Sequence, residues 1–254
     1  LFDKEIILPE MLYDRIEEVS ERIDANNNII TPLDLDDLAP RLKAAFDDGI
    51  RSIAIVLMHG YRVPTHELAV AELAQKIGFT QISTSNVTSP MIKFVGRGDT
   101  TVADAYLSPI LRRYIDRLAR DIDQSKGTKL QLMQSNGGLT DAGLFQGKDA
   151  ILSGPAGGIV GGVKTAKQAG FEKVITFDMG GTSTDVAHHE NIYERVFDTV
   201  VAGVRIHAPM LLIHTVAAGG GSICRFDQGR FQVGPESAGA NPGPSCYRRG
   251  GPLA

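Results

Sequence analysis

Glycine is placed along this chain in a way that limits what it can fold into. Of 28 glycines in 254 residues, six fall in residues 1–127 and 22 in residues 128–254. The later ones gather in four blocks: Ser135–Gly138, Ser153–Gly162, Phe177–Val186 and His214–Ser222. Glycine reaches positive φ and lets another backbone or a ligand come close. Three of the blocks directly follow predicted strands and the fourth opens a predicted helix. Ligands of open α/β sheets bind at the carboxyl ends of strands. The second half is therefore expected to carry tight loops against a ligand.

The first half reads as an α/β alternation. Residues 1–40 are polar and charged, an arm with a short helix near Pro9–Ile23. Asp34–Phe46 has apolar Leu38, Leu42, Ala45 and Phe46 at helical spacing and is stopped by Gly49. Ser52–Met58 is a continuous apolar run, expected as a strand buried on both faces. Thr65–Ile77 is predicted as a helix capped by Gly78, and Gln81–Ser85 as a strand. Asp99–Ile122 is a long helix that Pro109 should kink or split. Leu130–Gln134 is a strand, Pro155–Ala169 a helix with Pro155 at its first position, and Lys173–Asp178 a strand. Short strands separated by turns follow, with Gln228-Gly229 as a hairpin signal. The predicted class is α/β with antiparallel β ribbons in the C-terminal half.

Composition excludes several functions. The hydrophobic fraction is 43%, the charged fraction 22% and the net charge −4, with no stripe of Lys and Arg to meet nucleic acid. The apolar runs are far short of the roughly 20 residues of a membrane-spanning helix. Two cysteines, Cys224 and Cys246, make no disulfide framework, which points to a reducing, cytoplasmic setting. The chain begins at Leu1 with no signal-peptide pattern and reads as a fragment.

The chemistry concentrates in Phe177–Val186. A strand runs into Asp178, then Gly180 and Gly181, then Thr182, Ser183 and Thr184, then Asp185 and a new strand. The glycines let N–H groups turn toward an anion, and the hydroxyls add donors. Asp178 and Asp185 offer hard oxygens suited to Mg²⁺. No Gly-Lys-Ser/Thr of a P-loop is present, and the following strand excludes a dinucleotide fingerprint. In Ser153–Gly162, Gly157 and Gly158 lie beside a helix N-terminus, either for anion approach or for close packing. Gly219, Gly220, Gly221 and Ser222 form a second anion-sized nest or a plain tight turn. Ser135–Gly138 is expected as a strand-end turn facing the same side in a parallel sheet. His59, His66 and Glu67 lack the spacing of a helical zinc site. His188, His189, Arg248 and Arg249 are expected at the surface.

With these motifs in view, Phe177–Val186 resembles the second phosphate loop of the hydantoinase A/5-oxoprolinase family, within the actin-like, sugar-kinase and Hsp70 ATPase superfamily of ribonuclease H-like fold. Arg97–Leu107, Met133–Leu139, Leu152–Gly158, Thr215–Ser222, Val233–Ala240 and Asn241–Leu253 are similar to it as well, in the same order. The tail is most similar to the 5-oxoprolinase branch. The resemblance implies ATP-dependent opening of a cyclic amide, with 5-oxo-L-proline converted to L-glutamate and ATP to ADP and phosphate. It implies Mg²⁺ and ATP as cofactors, a lactam substrate, a hydantoinase B-type subunit or domain as partner, and allows a homo-oligomer. Asp178 and Asp185 would hold metal or water. Gly180 to Thr184, Gly157, Gly158 and Gly219 to Ser222 would serve the phosphates. Residues 1–98 would close an N-terminal-type domain and 99–254 would open the ATPase domain. The family's first phosphate loop and adenosine motif are not visible, so this chain alone should hydrolyse no ATP. Rival readings are an N-methylhydantoinase, an acetone carboxylase β-type subunit, a sugar kinase, or a catalytically inactive assembly module.

Overall fold

The computed structural model describes residues 10–122 and 127–252. Pro9, where the expected N-terminal helix begins, and Leu253 lie outside them. Two compact units emerge. The first comprises residues 1–134, 138–151 and 196–209, and the second residues 135–137, 152–195 and 210–254.

In the first unit, β1 (Arg22–Ile23) and β2 (Ile29–Thr31) form a small antiparallel pair. Helix α1 (Leu35–Asp47) begins at Asp34, whose carboxylate accepts from the Asp37 N–H at 3.0 Å. Such a cap contributes about 1 kcal/mol. Strand β3 (Ser52–Ile55) pairs in parallel with β4 (Gln81–Thr84) through the crossover helix α2 (Thr65–Ile77), which ends on Gly78 at φ +116°. Leu38, Leu42, Ile55, Val70, Ala74 and Phe79 form the core of this βαβ layer. A single turn, α3 (Ser85–Thr88), leads into α4 (Phe94–Asp121). A β5 (Gln131–Met133)/β6 (Leu139–Asp141) hairpin and the short α5 (Gly147–Ala150) follow.

In the second unit, α6 (Ser153–Gln168) lies against β7 (Lys173–Met179), the edge of a sheet ordered β12 (His214–Val216), β8 (Thr184–Glu190), β7, with β9 (Ile192–Tyr193) also on β8. The antiparallel hairpin β10 (Arg195–Val201)/β11 (Val204–Leu211) belongs to the first unit over residues 196–209, and the hairpin β13 (Ser222–Asp227)/β14 (Arg230–Ser237) to the second. Gln228 and Gly229 turn the last hairpin with both φ positive, at +49° and +80°. The sheet is two-faced. Val174 and Thr176 lie on the side toward α6, whereas Ile175 (73% exposed) and Phe177 (69% exposed) stand on a bare side.

Several sequence expectations are corrected. Residues 10–21 form no helix. Arg15 and Arg41 both donate to Glu17, at 2.6 and 2.9 Å, and Arg41 also donates to Glu18 O at 2.7 Å, so long-range contacts to α1 tie the segment down. Strand β3 ends at Ile55, beyond which Leu57 turns to donate its N–H to Glu67 at 2.9 Å, and it is only half-buried over Ser52–Ala54. Helix α4 is not split at Pro109. Pro155 is the third residue of α6, not the first. Ser135–Gly138 turns the antiparallel β5/β6 hairpin, with Gln134 N–H bonded to Gly138 O at 2.7 Å, so it is not the end of a parallel strand. Among the described residues no helix is long and apolar enough to cross a membrane.

Candidate functional site

The β7–β8 hairpin sets the geometry. Its register places Asp178 directly opposite Asp185 and Met179 opposite Thr184, so Gly180–Ser183 is the connecting loop. Partners in an antiparallel ladder point to one face. The two carboxylates therefore share a face. Thr215 is the next partner across the sheet, and its hydroxyl donates to Asp185 Oδ1 at 2.6 Å. Asp178 turns toward α6, where a methyl built on Gly158 would stand 3.5 Å from Oδ2.

The loop is held from outside. Gly220 N–H donates to Gly180 O at 2.9 Å and Gly221 N–H to Gly181 O at 2.7 Å. A methyl at Gly219 would come within 2.7 Å of both Gly180 O and Thr182 N, and one at Gly221 within 2.9 Å of Gly181 O. Gly219 and Gly221 are thus required by backbone packed on backbone, whereas a methyl on Gly220 would meet Gly180 O at an ordinary 3.7 Å. Gly219 N–H donates to Ser222 Oγ, and Ser222 N–H returns to Gly219 O, each at 2.9 Å. All four amides of Gly219–Ser222 are engaged, which makes the block a buttress and not an anion nest. Thr184 is also engaged: it is buried, and its hydroxyl donates to Ala218 O at 2.6 Å.

The tip of the loop differs. Gly180 N–H closes on Ser183 O at 2.9 Å. Among the described residues, the N–H groups of Gly181, Thr182 and Ser183 and the hydroxyls of Thr182 and Ser183 have no hydrogen-bond partner. Three adjacent amides and two hydroxyls without acceptors, on a pinned backbone, form a set of donors ready for an anion. The paired carboxylates beside them suit Mg²⁺, which takes one or two carboxylates together with phosphate oxygens and water. Among the described residues no cluster of three or more His, Cys, Asp or Glu offers a metal cage, so any cation here would need the ligand's own oxygens.

The other candidates have structural duties. A methyl on Gly162 would crowd Thr176 Cγ2 at 3.3 Å, so Gly162 lets α6 close on β7, whereas one on Gly158 would meet Asp178 at ordinary contact distance. Gly157 is half-buried in that helix. Gly137 packs under Leu211 and Val160, and Ser135 Oγ accepts from Leu152 N–H at 2.9 Å, which places this block in the packing rather than at the loop. His66 pairs with Glu21 at 2.7 Å. Glu67 is fully buried and accepts from Leu57 N–H, Asn86 N–H and Ser85 Oγ. Ser85 Oγ also accepts from Arg97 at 2.8 Å. Burial pushes the Arg97 guanidinium below its ordinary value, and the Glu67 charge pulls it back up. His188 is exposed, but His189 is only 1% exposed and stacks edge-on against Tyr193 at 4.8 Å, correcting its surface assignment. Thr215 escaped attention as an individual residue, because only cross-strand register brings it to Asp185. A groove of about 1020 Å³ in the first unit runs between residues 12–19, β3 and α4, and none of the candidate residues lines it.

Comparison with known proteins accords with this geometry. The hydantoinase/oxoprolinase family model matches residues 97–254, and the model of the hydantoinase/oxoprolinase N-terminal region matches residues 1–78. 5-oxoprolinase 1 of Arabidopsis thaliana is 43% identical over all of this chain and 22% of its own length. 5-oxoprolinase of Saccharomyces cerevisiae is 49% identical over 84% of this chain and 17% of its own. The crystal structure of ATP-dependent caprolactamase from Pseudomonas jessenii superposes with a TM-score of 0.81 at 32% identity, over 100% of this chain and 38% of that one. The chain thus spans about 22% of the length of curated relatives that it matches end to end. A partial α/β ATPase-like fold with a glycine-buttressed loop, matched by the family model over more than half its length, makes this chain a member of the hydantoinase/oxoprolinase family.

Proposed function

We propose that this chain supplies one phosphate-binding wall of an ATP-dependent cyclic amide hydrolase, with 5-oxo-L-proline as the first candidate substrate. The observation that carries the reading is the loop tip: open amides of Gly181, Thr182 and Ser183 beside the facing Asp178 and Asp185. The loop amides and the Thr182 and Ser183 hydroxyls would donate to phosphate oxygens. Their positions are fixed before the ligand arrives, because Gly220 and Gly221 pin the loop carbonyls, so no reorganisation is needed as charge develops. Asp178 and Asp185 would hold Mg²⁺ directly or through water, with Thr215 fixing the Asp185 carboxylate. When bound, Mg²⁺ neutralises phosphate charge.

The two-part organisation, residues 1–98 and 99–254, belongs to the same reading, as do the lactam substrate and a hydantoinase B-type partner. A cytoplasmic setting is supported by two exposed free thiols, Cys224 and Cys246. Similarity to 5-oxoprolinases over the whole chain favours a lactam over a hydantoin or acetone.

The test is ATP hydrolysis by the intact protein with 5-oxoproline, a hydantoin or acetone present, beside Asp178→Ala. Stimulation by 5-oxoproline that Asp178→Ala lowers about 100-fold is expected. Stimulation by acetone or a hydantoin alone would move the protein to another branch. ATP turnover indifferent to Asp178→Ala would remove the loop from the chemistry.

A further inference from the structure

The C-terminal tail is rich in Gly, Pro and Ser and leaves one side chain unexplained. Residues 238–252 fold back on the buttress. Ala238 N–H donates to Gly221 O at 2.7 Å, and Gly239 N–H to Ser237 Oγ at 3.0 Å. Ser245 N–H reaches Pro252 O at 2.6 Å, closing the tail into a ring around a short turn, Ser245–Tyr247. That turn orients Tyr247. Its ring lies on Gly243, where a methyl would fall 2.3 Å from Cδ2, so only glycine admits the ring there.

The ring's packing accounts for an aromatic residue. It does not account for the hydroxyl. Tyr247 Oη stands 3.4 Å from where a methyl on Gly181 would sit and 3.8 Å from the equivalent point on Gly220. It therefore projects to the junction of loop and buttress, next to the first of the open amides. Among the described residues Oη has no hydrogen-bond partner, and the residue is 41% exposed, so a ligand can reach it. A phenylalanine would fill the same space. What tyrosine adds is one O–H donor, aimed at a loop whose other donors also lack acceptors.

We infer that Tyr247 is a phosphate-binding residue: its hydroxyl donates to an oxygen of the phosphoryl group held by Gly181, Thr182 and Ser183. The tail thereby has a role beyond covering glycines, since it delivers a side-chain donor to a loop built from backbone. The inference rests on reading the loop as a phosphate site.

The test uses the intact protein and MgATP, with dissociation constants and melting temperatures measured for Tyr247→Phe, Tyr247→Ala and Thr182→Val. Tyr247→Phe keeps the ring on Gly243 and removes only the hydroxyl. A hydrogen bond to a charged oxygen predicts that it weakens MgATP binding about tenfold or more at an unchanged melting temperature. If Tyr247→Phe binds like the unsubstituted protein while Thr182→Val binds weakly, the loop stands and the role of Tyr247 is overturned. If only Tyr247→Ala loses binding, together with stability, the ring is mere packing and the inference fails. If neither Tyr247→Phe nor Thr182→Val changes binding, the phosphate site itself falls and takes the inference with it.

Discussion

The two units treat polar groups in opposite ways. In the first, Glu67, Ser85, Arg97, Ser83 and Asp104 are buried and satisfied inside the protein: Glu67 collects two backbone N–H groups, Ser83 donates to Asp104 at 2.7 Å, and Arg97 reaches Met91 O at 2.9 Å and Met58 O at 3.0 Å. In the second, the loop 180–183 is pinned through its carbonyls while its amides stay open. A buried polar network with every member satisfied is architecture. A rigid backbone with donors left over is what the proposed phosphate site needs. Conspicuous residues such as His66, Glu67 and Arg97 turn out to be framework, and the proposed phosphate contacts fall to glycines and small hydroxyls.

That contrast can be broken most forcefully at Glu67. Glu67→Ala would orphan two N–H groups and leave the buried Arg97 without its nearest opposite charge, at an expected cost of about 3–5 kcal/mol. Denaturant unfolding of the intact protein measures it, and a cost below 1 kcal/mol would deny the network its structural role. Next in size is Gly219→Ala, whose methyl meets Gly180 O and Thr182 N at 2.7 Å. Overpacking of this kind costs about 1–3 kcal/mol, and here it should also displace the loop and abolish MgATP binding. Retained affinity by calorimetry would show that the buttress does not set the loop.

A smaller effect, opposite in sign, sharpens the comparison. Asp178 and Asp185 are like charges directly across a ladder. Asp185→Asn should stabilise the ligand-free protein by about 0.2–1 kcal/mol while weakening Mg²⁺-dependent nucleotide binding. A destabilised variant would mean that the carboxylates serve the fold. The smallest effect concerns the arm at residues 10–19. Hydrogen bonds from Arg15, and then Arg41, hold the Glu17 carboxyl below its ordinary value. A carboxyl depressed on folding stabilises the folded state above its ordinary value and loses that contribution as pH falls through the depressed one. Acid titration should therefore release the arm below the usual carboxylate range, and Glu17→Gln should remove that step.

Much of this was legible from local signals. Helices α1 and α2 emerge from apolar spacing together with Asp34, Gly49 and Gly78, because caps and periodicity act within a few residues. The ribbon-rich second half follows from short strands punctuated by turns, and Gln228-Gly229 does turn its hairpin. The loop and its two aspartates were visible as a strand–glycine–hydroxyl–strand pattern. The missing helix before Ile23 was not legible, because the competing contacts come from Arg41 on α1. Nor was the burial of His189, which depends on which face of β8 α6 covers.

The sequence by itself determined most of the elements, the family and the loop, since these rest on periodicity, turn chemistry and an ordered set of motifs. Tertiary structure alone decided what each glycine does. Positive φ, a packed helix and a backbone buttress all demand glycine and look identical in one dimension. Gly219–Gly221 look like a nest in sequence, yet the carbonyls of Gly180 and Gly181 take the amides of Gly220 and Gly221, and Ser222 Oγ takes that of Gly219. The same long-range packing carries the Tyr247 hydroxyl to a loop more than sixty residues earlier in the chain, a proximity that no local pattern encodes.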